Sequence, residues 1–155
     1  MEDFNEKDKL YELVTIEEDL KCLPSNAVCK EIIKEKSLVI PKAKPDIEQL
    51  AKILIRPNII SHKIIKTPQG PKVIIKGKIT QKIFYVADKP EQTVHAAKFT
   101  FPFCTFIRLP KRVKIEDIKI KIEDVIVQLT SKRKINECVL LFLAVIPKKK
   151  CSSPC

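Results

Sequence analysis

A chain of 155 residues and 17.8 kDa is long enough for one domain with a core of its own, with no need of disulfides or metal to hold it. Apolar residues make up 45%, which excludes disorder by composition, and two glycines are too few for a Gly-rich phosphate loop. The formal charge of +11 is uneven: residues 1–27 hold eight acids and three lysines, and the rest holds 27 basic residues and 11 acids. That balance speaks to association rather than to fold.

The apolar residues are of one kind, with 23 Ile and 11 Val, one Met and no Trp. β-branched side chains are stiff in helices and pack well on pleated surfaces, so the composition predicts strands. Residues 1–27 read as a polar, acidic arm outside the core, in which Leu10, Tyr11, Leu13 and Val14 support at most a short helix or loose strand. Lys21–Asn26 reads as a turn. Val28–Ile40 is a strand, broken by Pro41-Lys42-Ala43-Lys44-Pro45. Asp46 with Gln49 three residues on has the form of a capping box, predicting one helical turn over Ile47–Ala51. Lys52–Arg56 and Asn58–Lys66 are strands parted by Pro57, and Thr67-Pro68-Gln69-Gly70-Pro71 is a turn.

The clearest strand is Lys72–Val86. Val73, Ile75, Gly77, Ile79, Gln81, Ile83 and Tyr85 share one face, and Lys76, Lys78, Thr80 and Lys82 share the other. Gly77 in mid-strand predicts a bulge or a close backbone approach. After a loop at Ala87–Gln92, Thr93–Phe103 alternates with Ala97, Phe99, Phe101 and Phe103 on one face and His95 in line. Pro102 marks an end or an edge. Cys104–Leu109 stays extended and Pro110-Lys111 turns. Ile118, Ile120 and Ile122 share a face, while Val125, Val127 and Leu129 have the other parity, so a bulge near Glu123–Asp124 would keep one face buried. Ser131–Lys134 is a basic turn. Ile135–Ile146 is apolar on both faces from Val139 onward, as a central strand is. The sum is an all-β fold: an antiparallel β-sandwich of about seven or eight strands, with at most one or two short helical turns and flexible termini.

Few chemistries fit these residues. Cys22-x6-Cys29, Cys151-x3-Cys155 and the isolated His62 and His95 lack zinc spacing, so no metal or other cofactor is expected. Cys104, among Phe101, Phe103 and Phe106, reads as a small core thiol rather than a nucleophile served by His95, and Glu116-Asp117 and Glu123-Asp124 read as solvated charge, so no enzyme is expected. Lys132-Arg133-Lys134 and Lys148-Lys149-Lys150 form a candidate basic contact surface, but the aromatics sit on the apolar face, which makes nucleic acid an unfavoured partner. Cys151 and Cys155 lie in a short polar tail, and with Cys22 and Cys29 near the other end they are candidates for disulfides between subunits. The opening Met-Glu-Asp has no signal-peptide pattern, and the longest apolar run, Cys138–Ile146, is far short of a membrane span, so no membrane partner is expected.

Ile40-Pro41-Lys42-Ala43-Lys44-Pro45-Asp46-Ile47-Glu48-Gln49-Leu50 resembles the P-x-x-K-P-D-I signature of the SPOCS domain of spore-coat proteins in endospore-forming Firmicutes. Val73–Ile79, Phe84-Tyr85-Val86-Ala87-Asp88, Val94-His95-Ala96-Ala97 and Pro102-Phe103 are similar to its central block, and the likeness spans about 28–146. Composition and the resemblance together divide the chain into an acidic arm (1–27), a SPOCS-like sandwich (28–146) and a Lys/Cys-rich tail (147–155). The resemblance implies a non-enzymatic spore-envelope subunit acting by protein–protein contact. Such proteins are made in the mother-cell cytoplasm without a signal peptide and cross-linked on the spore once that cell lyses. The expected partners are further copies, in an oligomer or polymer joined by arm or edge docking, and other spore-envelope proteins. The alternative is a basic module for an anionic polymer, nucleic acid or cell-wall.

Overall fold

A computed structural model describes residues 11–16, 20 and 22–148. The described residues form seven strands and no helix, in two sheets. One sheet has the order β1-β3-β4-β5, from Glu12–Thr15, Ile47–Thr67, Gly70–Ala87 and Val94–Arg108. The other has the order β2-β7-β6, from Val28–Val39, Lys134–Pro147 and Ile115–Leu129. All pairings are antiparallel except β1 with β3, which is parallel.

Alternation builds the core. Every odd residue of β4 from Val73 to Ala87 is buried; Ile79, Ile83 and Tyr85 cluster with Leu38, Ile122, Val125, Ile135, Val139 and Leu141 of the opposite sheet, and Val73 and Ile75 with Leu143 and Val145. The face expected to be apolar is the inner face, and the lysine face is solvent. The two sheets therefore pack as a sandwich. The bulge in β6 falls where parity demanded one, with the register shifting between Ile122 and Asp124 so that Ile122 and Val125 both point inward. β7 is central in its sheet. Its inner side chains are buried, and the outer Cys138, Leu140, Phe142 and Ile146 are half-buried.

Gly77 is the site of a close approach. A Cβ there would run into the Phe103 ring and come within 2.7 Å of the Asn58 carbonyl oxygen. The bulge itself is on the facing strand, where the register shifts between Ile59 and Ser61 opposite Gly77.

Three expectations need correction. Ile47–Ala51 is not a helical turn but the start of β3, which runs unbroken through Pro57. Register shifts at Ile47/Gln49 and Leu50/Lys52 bury Ile47, Leu50 and Ile53 at every third residue, a spacing that imitates a helix. Asp46, no cap, accepts from Arg133. Pro57 does not end the strand either, because it lacks only an N–H and the parallel partner β1 stops short of it, at Ile55. Finally, the arm is not wholly outside the core. Tyr11 and Leu13 pack against it, and the Tyr11 hydroxyl donates to the Val125 carbonyl across the open side of the sandwich (3.1 Å). The expected flexible ends, residues 1–10 and 149–155, lie outside the described residues.

Candidate assembly and binding surfaces

The signature segment 40–46 carries the chain from β2 in one sheet to β3 in the other, and a single side chain ties it down. The Arg133 guanidinium donates to the carbonyls of Ile40 (3.2 Å), Pro41 (2.7 Å) and Lys44 (3.0 Å) and to the Asp46 carboxylate (2.8 Å). The backbone joins in, with Ile40 N bonding Arg133 O and Ile47 N bonding Lys132 O. Tyr85 adds its hydroxyl to the Pro45 carbonyl (2.8 Å), and burial pushes its pKa up. The K-P-D-I run is thus a buckle between sheets. A turn with two prolines exposes carbonyls that strands cannot satisfy, and a planar guanidinium with several donors satisfies them.

The described residues of the candidate basic surface do not form one patch. Lys132 pairs with Asp88 at 2.5 Å, and that hydrogen bond, with the carboxylate's charge, raises its pKa. Arg133 is engaged as described, and Lys134 is exposed at the start of β7. Lys148 lies just past the other end of this 14-residue strand, roughly 45 Å away. Lys149 and Lys150 lie outside the described residues.

Of the candidate cross-linking thiols, Cys22 and Cys29 are free and exposed, and Cys151 and Cys155 lie outside the described residues. Cys104 is a correction. It is exposed, not in the core, because Phe101 and Phe103 point inward and strand parity turns Cys104 out. His95 stacks on Tyr85 with ring centroids 6.0 Å apart and meets Thr93 at 2.9 Å. Nine residues of β5 separate it from Cys104, roughly 30 Å, so the two do not act together. Among the described residues no group of three or more His, Cys, Asp or Glu could hold a metal ion. No helix among them is long and apolar enough to cross a membrane.

The sheet edges differ. Pro102 lies on the β5 edge, and Lys30 and Lys34 of β2 donate to the carbonyls of Phe106 (2.6 Å) and Cys104 (3.3 Å) there. That edge is covered. On β3, β1 pairs only with Lys52–Ile55, and β4 is the sheet partner of the remaining stretch 56–67 on the other side. A groove of about 290 Å³ runs along this edge between β3 and β6, lined by Ile16, Asn58, Ile59, Ile118 and Ile120 among others.

The outer face of the β3-β4-β5 sheet is the most strongly charged surface. β4 turns Lys72, Lys76, Lys78 and Lys82 outward. Register sets Lys52, Arg56 and Lys63 of β3 beside them, and Lys98 and Arg108 of β5 on the other flank. Sequence reasoning had the lysine face of β4 but missed its extension to three strands. The signal was present, since no Asp or Glu occurs between Gln49 and Ala87 or between Gln92 and Lys114. Glu12, opposite Lys52, faces it from the rim.

A family model described as SipL, SPOCS domain matches residues 46–130, more than half of the chain. No curated protein and no solved structure matches. The matched span runs from the buckle aspartate through the hairpins β3-β4-β5 to the end of β6.

Proposed function

The chain belongs to the SipL, SPOCS-domain family and is a sporulation-associated protein; from that premise we propose that it is a structural, non-catalytic subunit of the spore envelope. It joins to further copies, and to other envelope proteins, along a sheet edge, and intermolecular disulfides then lock the array. The observation that carries this reading is the partly occupied edge of β3. A four-residue parallel strand fills part of it, and the stretch beyond Pro57 has backbone groups for a further strand to pair with. Contacts between an edge and a strand of the next copy are heterologous, and such contacts propagate unless they close into a ring.

Thiols supply the lock. Cys22, Cys29 and Cys104 are exposed and free, and the sequence holds two further cysteines near its end, Cys151 and Cys155. A protein made in the reducing mother-cell cytoplasm and deposited on the spore surface meets oxidant only after deposition, so cross-links form once the geometry of the array is set.

The test is electron microscopy of the purified full-length chain, with non-reducing electrophoresis in parallel. Oxidising conditions are expected to give filaments or sheets and a ladder of covalent oligomers. The ladder should collapse with reductant and shorten when Cys151 and Cys155 are replaced by Ser. A monomer under oxidising conditions at high concentration would sink the reading.

A further inference from the structure

The cationic face of the β3-β4-β5 sheet demands a partner of opposite charge. Nine Lys and Arg side chains project from three strands, and among the described residues of this sheet the exposed carboxylates lie towards its margins, Glu12 on β1 and Glu48 at the start of β3. Strands lie about 4.8 Å apart and same-face residues about 7 Å apart, so these charges form a lattice of like sign closer than a Debye length. Such a face repels its own copy, so it is not the surface on which two subunits meet symmetrically.

The chain's own acids are too few to cover it. Residues 1–27 carry eight acids and three lysines, a net of −5 against nine cations. A dense linear polyanion fits better, because it brings one charge per repeat and releases condensed counterions on binding.

Two aromatics sharpen the chemistry. Phe84 and Phe106 lie on this face, and each is flanked by ammonium groups. Lys82 and Lys52 are 5.3 and 6.0 Å from the Phe84 ring, and Lys30 and Lys72 are 4.3 and 5.0 Å from that of Phe106. The ammonium groups beside the rings compete for the faces on which bases would stack. Contact through phosphates, indifferent to sequence, is what remains. We propose that the outer face of the β3-β4-β5 sheet binds a single-stranded phosphodiester chain through Lys76, Lys78, Lys82 and their neighbours.

The probe is a fluorescent thirty-nucleotide oligo-dT, followed by anisotropy with the full-length protein under reductant, from 50 to 300 mM salt. Contact with four to six phosphates predicts a slope of log affinity against log salt of about −3 to −4. Lys76→Glu with Lys78→Glu should weaken binding at least tenfold. Lys119→Glu with Lys121→Glu, an equal charge change on the other sheet, should weaken it less than threefold. The milder Lys76→Gln with Lys78→Gln serves if the Glu pair fails to fold. Absence of binding at 50 mM salt, a flat salt response, or equal losses from both pairs would overturn the proposal. So would displacement of the probe by poly-glutamate as readily as by unlabelled oligo-dT. Reductant keeps this readout apart from the disulfide-locked assembly, so either idea can fail alone.

Discussion

Glu137 and Gln81 face each other from opposite sheets inside the sandwich, 2% and 1% exposed. Gln81 Nε2 donates to Glu137 Oε1 at 2.6 Å, which leaves Gln81 Oε1 and Glu137 Oε2 without a partner. A proton on Glu137 resolves both, since Oε2–H can donate to the amide oxygen. Burial accordingly raises the Glu137 pKa from 4.5 to about 7, against the opposing effect of the Gln81 hydrogen bond. The sign follows. An acid whose folded pKa is raised contributes stability that is fully present below pH 4.5, is lost as pH rises towards 7, and is level above it. The difference of two to three units corresponds to about 3 kcal/mol. Glu137→Gln keeps two reciprocal hydrogen bonds without a charge. Urea unfolding should show a flatter profile for this variant than for the parent between pH 4.5 and 7.5, and above pH 7 a variant more stable than the parent by about 1–3 kcal/mol. A parent profile flat over that window would refute the neutral pair. Gly77 offers a second test. Gly77→Ala drives a Cβ into the Phe103 ring and the Asn58 backbone, so it should cost about 1–3 kcal/mol in the same assay, where an unhindered strand would gain from alanine. Gly77 was legible in the sequence as a mid-strand glycine. The Glu137 pair was not, because β7 reads as apolar and the partner lies 56 residues away.

Local patterning revealed strands well and their interruptions unevenly. The β6 bulge was legible because a change of parity in an isoleucine ladder has one remedy, whereas the two bulges opening β3 produced a false helical period. Cys104 was misread through its aromatic neighbours, although the parity of Phe101 and Phe103 alone turns it outward. Arg133 shows what sequence alone cannot deliver. It stands in a basic run and looks like surface charge, yet it is bonded to residues about 90 positions earlier. Arg133→Ala leaves three carbonyls and a carboxylate to water, so denaturant unfolding should show a loss of about 2 kcal/mol. Arg133→Lys should recover little of it, since one ammonium does not span the acceptors that a guanidinium does. Recovery of most of the stability by lysine would mean that charge, rather than the fork of donors, holds the buckle.

Order of assembly follows from how the sheets are threaded. The β3-β4-β5 sheet consists of successive hairpins, so its pairings close short loops. The second sheet forms that way only in its β6-β7 hairpin, because β2 pairs with β7 over its whole length, from Val28 opposite Val145 to Val39 opposite Lys134. Joining them requires ordering about a hundred intervening residues, and loop-closure entropy is lost before those contacts form. Stopped-flow refolding should therefore show a main phase in the millisecond-to-second range, the regime of non-local β topologies, with slower proline phases behind it. Substitutions that weaken the first hairpins, such as Ile79→Val on β4, should slow folding. Equally mild changes on β2, such as Leu38→Val, should mainly speed unfolding, because that strand docks late. The reverse pattern would show that β2 and β7 nucleate the fold. A late β2 also leaves one edge of β7 bare during folding, and a strand edge rich in Val and Leu is a template for other chains. Refolding yield should fall as protein concentration rises, and the loss should be greater for the β2 variants than for the β4 variants; a yield independent of concentration would place β2 docking before any encounter between chains.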